Sequence, residues 1–237
     1  MNIGIKTYDY SPEFEAFKGI ADFIEVMAIE GRDYSGFKKL GIPIVIHAQH
    51  QGFGVNIADK TLVDRNKRSL DFAIELADML NAKKIIVHSG ELNDDNCSIE
   101  NSFNFLKQYD DKRILIENLS HKPFLCTTPG ELKYLAGKLK LGICFDINHA
   151  IVKAQEMNQD IYSLFDGFLK LNPKHYHIGG QILEGKTHLT FSKSNIDLKK
   201  IFSLLPKNID ITLEVSWDIK EMKDDLVFIR KVVSENF

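Results

Sequence analysis

Along the chain, short apolar runs alternate with longer stretches in which apolar residues recur at helical spacing and charges fill the other positions. The short runs cover residues 2–6, 22–28, 42–47, 84–88, 113–117, 141–146, 175–178 and 211–215. They are rich in Ile and Val and nearly continuous in apolar character, as strands buried on both faces of a parallel sheet are. The clearest helical stretch spans 61–81, where Leu62, Leu70, Ile74, Ala77 and Leu80 fall near helical spacing. Further helices are expected over 99–109, 129–139, 160–171, 196–205 and 218–234, with two short ones near 12–17 and 33–40. Thr128-Pro129-Gly130-Glu131 reads as a helix start, with proline just inside the cap.

Eight strand–helix pairs in 237 residues predict one domain, residues 1–237, folded as an α/β (β/α)8 TIM barrel. An open doubly wound sheet is the runner-up. It lacks the dinucleotide fingerprint, because Gly52-Phe53-Gly54 is a lone GxG that follows no strand directly.

The ends of these strands carry the chemistry. Six in succession finish on a residue able to bind metal: His47, His88, Glu117, Asp146, His177 and Glu214. Parallel strands in a closed barrel bring all six to one mouth. A carboxylate ending an apolar strand is costly without a partner, and three meeting there call for a divalent cation. For a single position a structural reading competes: Glu117 alone could pair with Lys112 or Arg113, and His175 reads as a core residue lower in the barrel. His149, three residues after Asp146, and His188, in the loop after the seventh strand, lie just beyond. Asn118 and Trp217 follow the two strand-end glutamates, and Trp217 offers either rim packing or a stacking surface for a sugar face.

Composition narrows the function. The net charge of −3 and pI near 6.2 do not favour nucleic acid, although a basic patch could sit within a neutral total. Three cysteines without CxxC spacing read as free thiols. With no signal-like start and no run of membrane-spanning length, a cytoplasmic protein without membrane contact is expected.

The stretches HAQHQGFGVNIAD, ELADMLNAKKIIVHSG, ILIENLS, ICFDINHA, HYHIGG, THLTFSKSNIDL and ITLEVS resemble the xylose-isomerase-like barrels, which include sugar isomerases, epimerases and endonuclease IV. In the epimerases a Glu, an Asp, a His and a Glu hold one divalent ion. The resemblance puts these on Glu117, Asp146, His177 and Glu214, and implies that Glu117 and Glu214 also act as acid and base. It implies substrate-hydroxyl contacts for His88, His149 and His188. In endonuclease IV three zinc ions are bound, and the matching positions are His47, His88, Glu117, Asp146, His149, His177, His188 and Glu214. The remaining ligand position falls on Lys186, whose charge opposes a third cation, while Glu184 is out of register by two. His47 and His88 are therefore candidates for a second ion or for substrate. The expected cofactor is Mn²⁺, Zn²⁺, Co²⁺ or Mg²⁺, one ion or two.

The loop after the fourth strand carries Glu91, Asp94, Asp95 and Glu100, which repel phosphates. Gln49, Asn118, Asn148 and Gln181 suit a polyhydroxyl ligand. The expectation is thus a metal-dependent sugar or sugar-phosphate isomerase or epimerase. The alternatives are a phosphodiesterase acting at abasic DNA and a barrel that binds metal and ligand without turnover. Lys193, between Ser192 and Ser194, is a candidate for a substrate phosphate. Self-association through exposed barrel helices, common among such barrels, is open.

Overall fold

The computed structural model describes residues 1–183 and 185–236. Its eight strands are β1 (Asn2–Thr7), β2 (Phe23–Ala28), β3 (Ile44–Ala48), β4 (Ile85–His88), β5 (Ile114–Glu117), β6 (Gly142–Asp146), β7 (His175–Ile178) and β8 (Asp210–Leu213). All neighbours pair in parallel, and β8 closes on β1 through Ile3 opposite Ile211 and Ile5 opposite Leu213. The helices are α1 (Phe37–Leu40), α2 (Val63–Leu80), α3 (Ile99–Leu106), α4 (Pro129–Leu139), α5 (Ile147–Glu156), α6 (Ile161–Leu169), α7 (Leu198–Leu204) and α8 (Ile219–Asn236). This is the (β/α)8 barrel that the alternation of apolar runs predicts.

Local chemistry fixes the element ends. Thr128 caps α4 by accepting from the Glu131 amide at 3.3 Å, while Glu131 accepts from the Thr128 amide at 3.3 Å. The segment Pro12–Phe17 is a 3-10 turn rather than an α-helix, capped by Ser11. A helix absent from the sequence expectation, α5, starts directly on Asp146, whose Oδ1 accepts from the His149 amide at 2.7 Å. The spacing of a ligand pair, Asp146-x-x-His149, is therefore also a helix N-cap.

The core has two parts. One large apolar cluster fills the space between the strands' outer faces and the helices. A smaller one, Phe23, Val45, Ile86, Leu115 and Cys144, lies inside the barrel. Gly4 belongs to the same inner layer, because a Cβ there would meet the Phe23 ring at 2.3 Å. Side chains alternate along a strand, so the residue two positions on points inward one layer nearer the mouth. Counting two from Gly4, Phe23, Val45, Ile86, Leu115, Cys144, His175 and Thr212 gives Lys6, Glu25, His47, His88, Glu117, Asp146, His177 and Glu214. A mainly apolar floor, with His175 and Thr212 as its polar members, thus carries a ring of eight ionisable side chains, one from each strand.

Candidate metal centre

Within that ring, Glu117, Asp146, His177 and Glu214 each offer a ligand atom within 4.8 Å of one another. His47, His88 and Glu117 do the same. Glu117 joins the two sets. Its Oε1 lies 3.1 Å from His177 Nδ1, and its Oε2 lies 3.2 Å from both His47 Nε2 and His88 Nε2. Arg113 and Lys112, the alternative partners for Glu117, pair instead with Asp78, Asp111 and Asp110.

The imidazoles are held for ligation by the nitrogen that faces away from the centre. His47 Nδ1 donates to the Ala48 carbonyl at 2.8 Å, and His88 Nδ1 to Gln51 Oε1 at 3.1 Å, leaving each Nε2 toward Glu117. His177 is turned the other way: Nε2 donates to Glu25 Oε2 at 3.0 Å, and Nδ1 lies 2.9 Å from Glu214 Oε1. Burial pushes the His88 imidazole down to about 4, so it is neutral at pH 7, as a ligand must be.

The carboxylates show why a cation fits. Asp146 is fully buried, and its Oδ2 has no hydrogen-bond partner. Burial, then the charges of Glu117 and Glu214, push its carboxyl above the usual range. A divalent ion between these groups would satisfy the orphaned oxygen and offset the repulsion.

Glu25 and Lys6 are part of the site, and sequence reasoning missed them. Glu25 is fully buried on β2, and its Oε2 accepts from Thr212 at 2.7 Å, His177 at 3.0 Å and His175 at 3.1 Å. His175 therefore lies one layer below His177, as a core residue. Lys6 on β1 donates to Glu214 Oε1 at 2.5 Å and lies 3.5 Å from Glu25 Oε1. Burial opposes its charge, but Glu214, Glu25 and Glu117 outweigh that and hold the ammonium above its ordinary range.

Above the ring opens a cavity of about 290 Å³, lined by Lys6, Tyr8, His50, His88, Glu117, His149, His188, Glu214, Val215 and Trp217. His149 Nδ1 donates to the Asn118 carbonyl at 2.8 Å. His188 lies 3.4 Å from Glu214 Oε2. Trp217 is 59% exposed and packs edge-on against Tyr8 at 3.9 Å between ring centroids. His50 stacks on His88 at 4.7 Å. Tyr8 and His50 carry no sequence signal of their own and reach the mouth because their loops fold over it.

Other expected contacts lie elsewhere. Asn118 is fully buried, donating to the Asp146 carbonyl at 2.9 Å and accepting from the Asp146 amide at 2.8 Å. Its amide faces the backbone and not the cavity. Asn148 likewise binds Gly179 at both ends and donates to Gln181 Oε1 at 2.9 Å. Gln49 lines a smaller neighbouring cavity. Lys193 lies 3.6 Å from Glu221 and is absent from the mouth lining, so it is not placed to meet a substrate phosphate there. Lys186 is exposed on its loop, and Glu184 lies outside the described residues. Cys97, Cys126 and Cys144 are free thiols. Among the described residues no helix is long and apolar enough to cross a membrane.

The model of the xylose isomerase-like TIM barrel family matches residues 35–232. No curated protein sequence matches the chain. Among solved structures, a D-tagatose 3-epimerase-like protein superposes with a TM-score of 0.80 at 19% identity, covering 100% of this chain and 98% of that one. Endonuclease IV from Thermus thermophilus gives 0.78 at 19% identity, with 99% and 100% covered. A sugar phosphate isomerase/epimerase from Parabacteroides distasonis gives 0.66 at 15% identity, with 97% and 98% covered. At these identities the likeness is one of fold.

Proposed function

Because the chain belongs to the xylose isomerase-like TIM barrel family, we propose that it is a divalent-metal-dependent isomerase or epimerase of a sugar or sugar phosphate. The observation that carries this reading is that both Glu117 and Glu214 line one small cavity beside a carboxylate–imidazole set with an unsatisfied buried oxygen. At about 290 Å³ the cavity is just under the smallest typical small-molecule sites, which run from about 300 Å³ upward.

Glu117, Asp146, His177 and Glu214 would hold the ion. Bound there, a divalent ion would acidify the C–H beside two chelated sugar oxygens and steady the enediolate. Glu117 and Glu214, charged and facing the cavity, are the groups placed to remove a proton and return it. His88, His149 and His188 supply ring nitrogens for hydroxyls along the cavity wall. Trp217 and Tyr8 offer an apolar face at the rim.

The test is solvent-deuterium entry into a panel of ketoses and ketose phosphates with Mn²⁺ or Zn²⁺. Deuterium should enter one of them, and Glu117→Gln and Glu214→Gln should each lower that rate by about 10³-fold or more, in the range expected for an acid–base group. No exchange from any of the panel with metal bound would defeat the reading and favour a barrel that binds without turnover.

A second reading, phosphodiester hydrolysis at abasic DNA, draws on the His47–His88–Glu117 set, which adds a second ligand group. Against it stand the acidic loop bearing Glu91, Asp94, Asp95 and Glu100, and the absence of His149 and His188 from the ligand sets found among the described residues. Incision of an abasic duplex at moderate salt would reverse the preference.

A further inference from the structure

The ring contains a third set of ligand atoms within 4.8 Å of one another: Glu25, His47, His177 and Glu214. Its members come from β2, β3, β7 and the end of β8, on both sides of β1, and Asp146 is not among them. Two of its members already contact a cation, because Lys6 Nζ lies 2.5 Å from Glu214 and 3.5 Å from Glu25. Lys6 and Glu25 are direct cross-strand partners on β1 and β2, so the backbone register places this charge. Glu25 Oε1 has no hydrogen-bond partner among the described residues and lies 3.5 Å from that ammonium.

We propose that Lys6 is a resident cation that occupies the Glu25–Glu214 pole of the mouth in place of a second divalent ion. The inference rests on the reading above that an ion is held by Glu117, Asp146, His177 and Glu214. Charge accounting supports it. With the imidazoles neutral, as metal ligands are, four carboxylates (Glu25, Glu117, Asp146 and Glu214) and one ammonium leave the ring at −3, and one divalent ion brings it to −1. A further divalent ion would reverse the sign to +1 while Lys6 remains. Without Lys6 the ring stands at −4, and two divalent ions neutralise it. Lys6 also lines the cavity, so this positive pole stays beside a ligand whatever happens to the metal.

Metal counting on the purified 237-residue chain tests the proposal without any substrate. The wild type, Lys6→Met, Lys6→Arg and the double variant Lys6→Met/Glu25→Gln are saturated with Mn²⁺, freed of excess and measured by elemental analysis and native mass spectrometry. Lys6→Met should hold one more equivalent than the wild type, Lys6→Arg the same number as the wild type, and the double variant should lose the extra ion. Lys6→Gln, whose amide still donates to Glu214, replaces Lys6→Met if that variant does not fold. Equal, non-zero counts in all forms, or an extra ion that survives Glu25→Gln, overturn the proposal while leaving the metal reading intact. Zero counts in every form overturn both.

Discussion

Asn118 binds the Asp146 backbone with both ends of its amide, 2.9 Å to the carbonyl and 2.8 Å to the N–H. Its own carbonyl accepts from His149 Nδ1. One buried residue thus orients a metal-ligand candidate and a cavity histidine. Asn118→Ala should leave a buried N–H and C=O unpaired, costing ~2–6 kcal/mol at roughly 1–3 kcal/mol per group. Chemical denaturation measures that loss. The same change should weaken Mn²⁺ binding by about 10- to 100-fold, the usual effect of removing a group that holds a ligand. Unchanged affinity by calorimetric titration would show that Asp146 keeps its place without Asn118. Asn118, Asn148 and Gln181 are legible in the sequence as polar residues near the mouth, but not by role. A residue just past a strand can turn to solvent or back to the backbone, and the unpaired backbone groups that decide between these lie at the end of the neighbouring strand, 28 or 31 residues further along the chain.

At the scale of strands and loops, the barrel is readable because each buried strand is a continuous apolar run. The site is readable where a ligand closes such a run, as at His88, Glu117 and Asp146. Glu25 escapes because it stands inside β2, with Val26, Met27 and Ala28 continuing beyond, and Lys6 because it closes its run as a cation and not as a ligand type. The available signal is periodic: each lies two residues past an inward residue, Gly4 and Phe23. Helix α5 escapes because its first turn has the spacing of a ligand pair. Glu214 raises a different point, since β8 ends at Leu213. The Glu214 amide still donates to the Ile178 carbonyl at 2.9 Å, which ties it to β7. Gly179 packs against this junction, and a Cβ there would lie 2.2 Å from the Glu214 carbonyl oxygen and 3.2 Å from His188 Cα. Gly179→Ala should therefore push apart the segments carrying Glu214 and His188, cost about 1–3 kcal/mol, and lower turnover more than stability. Gly130→Ala in α4, where a Cβ meets nothing within 4 Å, is the control and should be neutral or mildly stabilising. Equal behaviour of the two variants in melting and exchange assays would contradict the packing argument.

For the whole molecule, the ring's cost to stability is concentrated at Asp146, the carboxylate that burial and like-charged neighbours push up. Glu25 and Asp146 are fully buried and Glu117 nearly so, close to Glu214, with Lys6 as their one ammonium partner within the ring. An ion bound to Glu117, Asp146, His177 and Glu214 binds the folded barrel and not the unfolded chain, because the four ligands come from four strands that only closure brings together. Binding therefore adds to folding stability as ligand occupancy dictates, by about 2.7 kcal/mol at a free-ion concentration 100 times Kd. For a chain of this length each kcal/mol moves Tm by roughly 2–4 °C. Mn²⁺ or Zn²⁺ at saturating concentration should raise Tm by about 5–10 °C over protein treated with a chelator. Asp146→Asn should shrink that difference, because the orphaned oxygen becomes an amide and one ligand charge is lost. It should also raise the Tm of the chelator-treated form, by relieving the repulsion from Glu117 and Glu214. The two effects have opposite signs in one variant, so scanning calorimetry with and without metal separates a metal centre from a structural ion-pair network. If Asp146→Asn lowered Tm equally in both conditions, the carboxylate's role would be structural and the ring would need no cation.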